Sequence, residues 1–280
     1  MIRQLVQLEL YKIFKKWRTY IGFIAIGVLV VIIETAMLFE GQKSLDFMTR
    51  NLRDSFAFVG NLLNGFLISY LILNMLAVHI PFLITLVAGD LLAGEATAGT
   101  YRILLTRPVS RMQVVGSKFV AGNIYTLSLV IWVGIISLGM GAILFGFGEL
   151  IVIGQNSIVI LDRSDVLWRF LLAYAFAALG MSVVCSLAFF FSSLVENAIG
   201  PIVATMAVII VFIIISAINI DVFRTIRPYL FTNYILSWQL LFDNPIDTAK
   251  VVKAVLILIS HIIVLFSITA IIFKKKDILS

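Results

Sequence analysis

The chain alternates long, unbroken apolar runs with short polar segments. Stretches without Asp, Glu, Lys or Arg cover 55–89, 119–148, 170–195, 197–220 and 254–273, and a sixth, 19–39, is broken only by Glu34. About 20 apolar residues in a helix cross roughly 30 Å of hydrocarbon, and in lipid only helices or closed barrels satisfy their own backbone polar groups. Because the runs do not alternate with period two, helices are predicted. The pattern gives an all-α integral membrane protein, one transmembrane domain over 1–280, with spans near 19–39, 64–89, 119–145, 167–194, 198–218 and 252–273. One carboxylate costs about 2.5–3.5 kcal/mol on insertion scales, which does not disqualify the first span.

The polar segments predict accessory elements. Ahead of the first span, Ile2, Leu5, Val6, Ile13, Phe14 and Trp17 share one helical face, while Arg3, Gln4, Gln7, Lys12, Lys15 and Lys16 share the other. This reads as an interfacial amphipathic helix over 1–18, the alternative being a plain basic anchor. Leu45, Met48, Leu52, Phe56, Val59 and Leu63 recur every three or four positions and predict an amphipathic helix entering the second span. Between 219 and 250, Tyr229, Phe231, Tyr234, Trp238 and Phe242 mix with Arg224, Arg227, Asp243 and Asp247. That mixture fits short helices dipping into the outer leaflet, or an irregular surface loop.

Composition agrees with the pattern. The chain is 61% hydrophobic and 13% charged, with a mean hydropathy of +1.10, against about 45–50% apolar usage in soluble domains. The net charge of +6 comes from basic residues beside apolar runs, so lipid headgroups rather than nucleic acid are the expected partner. Arg3, Lys12, Lys15, Lys16, Arg18, Arg102, Arg107, Arg111, Lys118 and Lys274 to Lys276 fall on one side of a six-span layout. The positive-inside rule then puts both termini in the cytoplasm of a multi-pass cell (inner) membrane protein. The first 18 residues are too polar for the core of a cleavable signal. A single cysteine, Cys185, allows no intrachain disulfide, and no metal cluster is expected. Two distant histidines and scattered carboxylates form no catalytic set, so a non-enzymatic role is expected.

The most informative polar segment runs from Gly89 to Lys118. Gly99 permits backbone geometry costly to other residues, and Pro108 discourages a helix from continuing through it, so a short helix over 100–106 is bracketed by breakers. Arg102, Arg107 and Arg111 suit carboxylates of a partner, and Leu104 with Leu105 suits an apolar groove. In order, Glu95, Gly99 and Thr100, Leu104 and Leu105, Pro108, Ser110 and Arg111, and Lys118 resemble the loop signature of type-2 ATP-binding-cassette (ABC) exporter permeases. The sharp part covers about thirty residues, and the six-span layout with its flanking elements is similar to that family along nearly the whole chain.

The resemblance implies that this loop is a cytoplasmic coupling helix between spans two and three. It further implies a permease subunit, itself without ATPase activity, that pairs with a second permease, identical or related, and with two cassette ATPases holding ATP and Mg. No Gly-x-x-x-x-Gly-Lys-Ser/Thr phosphate loop occurs, in keeping with an ATPase on a separate polypeptide. The same sequence also admits a basic loop that only fixes topology, a self-sufficient channel or ion-coupled carrier, and a scaffold that recruits an ATPase without transport.

Polar residues within spans are the remaining candidates, since hydrocarbon makes them costly. Glu34, Asn74 and His79 are possible substrate-path groups. Alternatively, Glu34 reaches water at the outer end of its span, and His79 bonds backbone freed near Pro81. His261 is solitary and is assigned no role. Glu196 and Asn197 read as a short solvated turn, with ATPase contact as the alternative. Gly134, Gly139, Gly141, Gly146 and Gly148 predict close helix packing by the third span.

Overall fold

A computed structural model describes residues 2–50, 62–99, 109–153 and 158–276. A short helix α1 (Ile2–Lys15) leads through a break at Lys16 into α2 (Trp17–Thr49). After the next described segment come α3 (Gly65–Ala88), α4 (Asp90–Thr97) and α5 (Arg111–Phe145). A hairpin of β1 (Leu150–Ile153) and β2 (Ile158–Leu161) precedes α6 (Arg163–Leu194) and α7 (Ile199–Ala217). Then α8 (Asp221–Ile226), a 3-10 turn (Arg227–Tyr229), α9 (Thr232–Ile235) and a 3-10 segment (Leu236–Phe242) lead into α10 (Thr248–Lys275).

Among the described residues, six helices are long and apolar enough to cross a bilayer: α2, α3 continued by α4, α5, α6, α7 and α10. This is the architecture of a multi-pass membrane protein. The central pair is α3 and α6, with more than half of each apolar window buried, against 17–28% in the four others. The outer helices keep rows of Ile, Leu, Val and Phe exposed, which is the surface a hydrocarbon solvent wets without penalty.

Charged residues proved no barrier to helix propagation, so several helices outrun the predicted spans. The first continues through Glu40 and Lys43 to Thr49, where a span ending near 39 and a separate amphipathic helix were expected. The rest of that expected helix, through Val59, lies outside the described residues. Helix α5 begins at Arg111 rather than 119 because Ser110 caps it: its hydroxyl accepts from the Gln113 N–H at 3.2 Å, and the Gln113 side chain accepts from the Ser110 N–H at 2.9 Å.

The hairpin departs from the all-α expectation. Its strands pair antiparallel, Leu150 opposite Leu161 through Ile153 opposite Ile158. It closes the end of the bundle opposite both termini, here called the hairpin face. There Asn64 accepts from the N–H groups of Phe66 (3.0 Å) and Leu67 (3.1 Å), capping α3, and donates to the Glu149 carbonyl at 2.7 Å.

Close packing by the glycines of α5 holds at particular positions. A Cβ on Gly65 would lie 2.5 Å from the Gly141 carbonyl group, so α3 and α5 touch backbone to backbone. Gly134 faces the Tyr174 ring, and Gly146 has a φ of +68° that ends α5. Gly139 faces open space.

Residues 219–250 form short helices. Trp238 and Phe242 are fully buried, with Phe242 ring centroids 5.2 Å from Tyr70 and 5.0 Å from Phe170. The buried guanidinium of Arg169 holds this segment in place. Its Nη1 donates to the Leu241 and Asp243 carbonyls, both at 2.8 Å, while Nε and Nη2 reach Asp165 at 2.8 Å.

Candidate functional site

The described part of the Gly89 to Lys118 segment lies at the face carrying both termini. Helix α4 continues the line of α3 past Gly89, where a side chain would collide with the Thr85 carbonyl and Pro201. Ser192 of α6 fixes its start. That hydroxyl donates to the Gly89 carbonyl at 2.6 Å and accepts from the N–H groups of Leu92 (3.1 Å) and Ala93 (2.9 Å). A residue a hundred positions away thereby satisfies donors that a helix N-terminus leaves open. At its far end the Thr97 hydroxyl donates to the Ala93 and Glu196 carbonyls, at 2.9 and 2.6 Å. The exposed turn at Glu196 is thus tied to α4.

Between α1, α4 and α5 lies a closed ring of alternating charges. Lys118 Nζ donates to Glu9 Oε2 at 2.7 Å and to Glu95 Oε1 at 3.0 Å. Lys12 Nζ donates to Glu9 Oε1 at 2.9 Å and to Glu95 Oε1 at 2.8 Å. The Lys118 side chain is 2% exposed, those of Glu9 and Glu95 5% and 13%, and that of Lys12 35%. Burial disfavours the Lys12 ammonium, yet the hydrogen bonds it donates to Glu95 and Glu9 outweigh that and hold this group above the ordinary lysine range. Desolvated charges in such a ring resist separation: removing one partner of a buried pair costs about 3–5 kcal/mol. The three helices are therefore locked together.

A second charge group adjoins the first. Asp90 accepts from Lys16 at 2.7 Å and from Arg18 at 3.1 Å, joining the α1–α2 break to the start of α4. Its carboxylate covers Gly94, where a Cβ would lie 2.4 Å from Asp90 Oδ1. The two groups line a cavity of about 30 Å³, room for a water molecule.

The sequence candidates divide as follows. Glu95 and Lys118 meet in the ring. Gly99 adopts a φ of +64°, the geometry expected of it. Ser110 is the cap of α5. Arg111 turns inward, its Nη1 donating to the carbonyls of Lys274 (3.1 Å) and Lys276 (2.7 Å), because a helix C-terminus leaves such carbonyls unpaired. Arg111 is thus tied to the end of α10 through Nη1. Thr100, Arg102, Leu104, Leu105, Arg107 and Pro108 lie outside the described residues.

Helix α1 packs on the bundle through Glu9 and Ile13, with Lys12 of its polar face reaching the Glu9 and Glu95 carboxylates, while Ile2 is exposed. Glu9, Asp90 and Ser192 were missed. The available signal for Glu9 was a lone carboxylate in a basic segment, three residues before Lys12.

The intramembrane candidates do not converge. Asn74 donates to the Tyr70 carbonyl at 3.2 Å and accepts from Gln239, so it anchors the 3-10 segment. His79 is exposed, with Nδ1 2.8 Å from the Met75 carbonyl rather than the Ala77 carbonyl that Pro81 leaves free. Glu34 is fully buried and does not reach water. His261 bridges α10 to the Tyr229 carbonyl at 3.1 Å. No group of three or more metal-ligating side chains occurs among the described residues.

Comparison with known proteins finds similarity to the uncharacterized protein YhcI of Bacillus subtilis (strain 168), 25% identical over 199 residues. The match covers 69% of this chain and 63% of that relative, so the chain spans less than two thirds of the relative's length. A family profile matches residues 23–279, and on that extent the chain belongs to the DUF2705 family, a family of proteins of unknown function.

Proposed function

We propose that this chain is the membrane-spanning permease subunit of an ABC exporter. Its working unit contains a second permease, identical or related, and two separate cassette ATPases that bind ATP and Mg. Both termini face the cytoplasm of the cell membrane, where Arg3, Lys15 and the C-terminal lysines meet anionic headgroups.

The observation carrying this reading is the motif running from Glu95 to Lys118, together with the ring that joins its two described ends. A push from an ATPase on residues 100–108 acts on α4 and on the start of α5. Because Lys118 and Lys12 each bond both Glu95 and Glu9, these helices and α1 respond as one body. Thr97 carries the displacement to the α6–α7 turn, and Arg111 carries it to the end of α10. Mechanical input at one loop thus reaches most of the bundle, as a transporter alternating between inward-open and outward-open states requires.

Co-expression with a candidate cassette ATPase and affinity capture in detergent tests the proposal. Stable capture is expected, with loss on Arg102→Glu plus Arg107→Glu while the variant still folds. Capture that survives the double charge reversal, or none with the wild type, contradicts coupling through this loop. Transport by the purified chain alone in liposomes, without nucleotide, contradicts the permease assignment.

A further inference from the structure

Among the described residues, one buried carboxyl is left without a hydrogen-bond partner. Glu34 lies on α2 one and two turns beyond Val30 and Ile26, on the same face, and like them it is fully occluded. Neither of its carboxyl oxygens has a hydrogen-bond partner among the described residues. Buried polar groups in proteins are paired in the great majority of cases, so an orphan carboxyl calls for an occupant.

Its helix-face neighbours Ile26 and Val30 belong to the apolar core. The Tyr174 hydroxyl of α6 is within electrostatic reach of Glu34 and shares a 2.7 Å hydrogen bond with the Ser137 hydroxyl of α5. The Ser69 hydroxyl of α3 donates to the Ser137 and Gly65 carbonyls, at 2.9 and 2.7 Å. The other charged and titratable groups of these helices are engaged elsewhere. Lys118 is in the ring, Arg111 binds the end of α10, Arg169 binds Asp165, Tyr125 donates toward the Thr19 carbonyl, and His79 faces outward. Tyr70 packs on Trp238 and Phe242, and Cys185 is buried toward the opposite end of α6.

An ionised carboxylate with neither counter-ion nor donor is prohibitively costly in such a medium. Among the described residues no metal-ligating cluster includes Glu34, and zero exposure means that no sphere as large as water touches its carboxyl, so an ammonium group or a water is too large to be its occupant here. A proton is not. We infer that Glu34 is an intramembrane proton-binding site, occupied in this closed arrangement, that releases its proton to water when α2 parts from α3 and α5. The inference is independent of ATPase coupling and adds a chemical ligand to the bundle. Opening at this level is then linked to pH, favoured as protons become scarce.

Solid-state NMR of the protein in liposomes, labelled with ¹³C at glutamate side chains, tests this directly. The chain has six glutamates, of which Glu40, Glu149 and Glu196 are exposed and Glu9 and Glu95 are ion-paired. At about pH 8, above the ordinary glutamate range, one carboxyl resonance at the protonated position is expected, and Glu34→Gln should remove it. A wild-type spectrum with every glutamate ionised overturns the inference whether or not the variant folds. So does a protonated resonance that persists in Glu34→Gln.

Discussion

Lys118 and Glu9, 109 positions apart, meet at 2.7 Å in the interior of the face that carries both termini. Replacing Lys118 with Met leaves the Glu9 and Glu95 carboxylates with Lys12 as their shared cation within the ring. A loss of about 3–5 kcal/mol is expected, read as thermal unfolding in detergent. Adding Glu95→Gln should recover part of it, with a non-additivity of about 1–3 kcal/mol. Strict additivity would mean that the ring is not an energetic unit.

The α5 cap makes a separable prediction. Ser110→Ala removes one half of the capping box and should cost about 1 kcal/mol. The loss should be local, appearing as faster amide exchange over 111–114 with little change near Val133. Unchanged exchange in that first turn would assign the helix start to packing alone.

Arg169→Lys tests the clamp on the 3-10 segment. A lysine presents a point charge and does not span two carbonyls and a carboxylate at once. Each charged hydrogen bond lost is worth about 1.5–3 kcal/mol. Residues 236–243 should become protease-accessible while the six long helices persist. If the segment stays protected, its aromatic packing by Trp238 and Phe242 suffices.

For Lys12 the sign of the pH effect follows from the direction of its shift. A lysine held above its ordinary range contributes stability that is complete below the unfolded value, near about 10.4, and is lost as pH rises through the folded value. The difference in unfolding temperature between wild type and Lys12→Met should therefore be flat from about pH 6 to 9 and shrink above about pH 10.5. A decline centred near neutrality would point to a different titrating group behind α1 docking.

Much of the architecture was readable because lipid imposes a coarse rule: apolar runs of sufficient length become helices, and among the described residues each of the six contains one. The ends were less readable, since Glu40, Lys43 and Arg111 continue helices once their side chains reach beyond the apolar zone. The hairpin was hidden because Leu150–Ile153 and Ile158–Leu161 are apolar runs too short to distinguish strand from helix termini. At the candidate site, the residue types at Glu95 and Lys118 were legible, whereas their partner Glu9 depends on how α1 rolls against α5. Local periodicity had turned Lys12 outward. Two carboxylates at Glu9 and Glu95 outweigh that preference, and no local pattern encodes them.

The contact of Gly65 with Gly141 gives the molecule a fulcrum. With main chains in contact there, α3 and α5 have no side-chain cushion to slide on, so a change in their crossing angle must turn about that point. Helix α3 runs 24 residues from it, about 36 Å. A tilt of about 5° at the fulcrum sweeps the far tip, where Gly89 and α4 begin, through roughly 3 Å at that arm length. Small rotations at the hairpin face are thereby geared up into large strokes at the opposite end, and large strokes there are geared down into small ones at the hairpin.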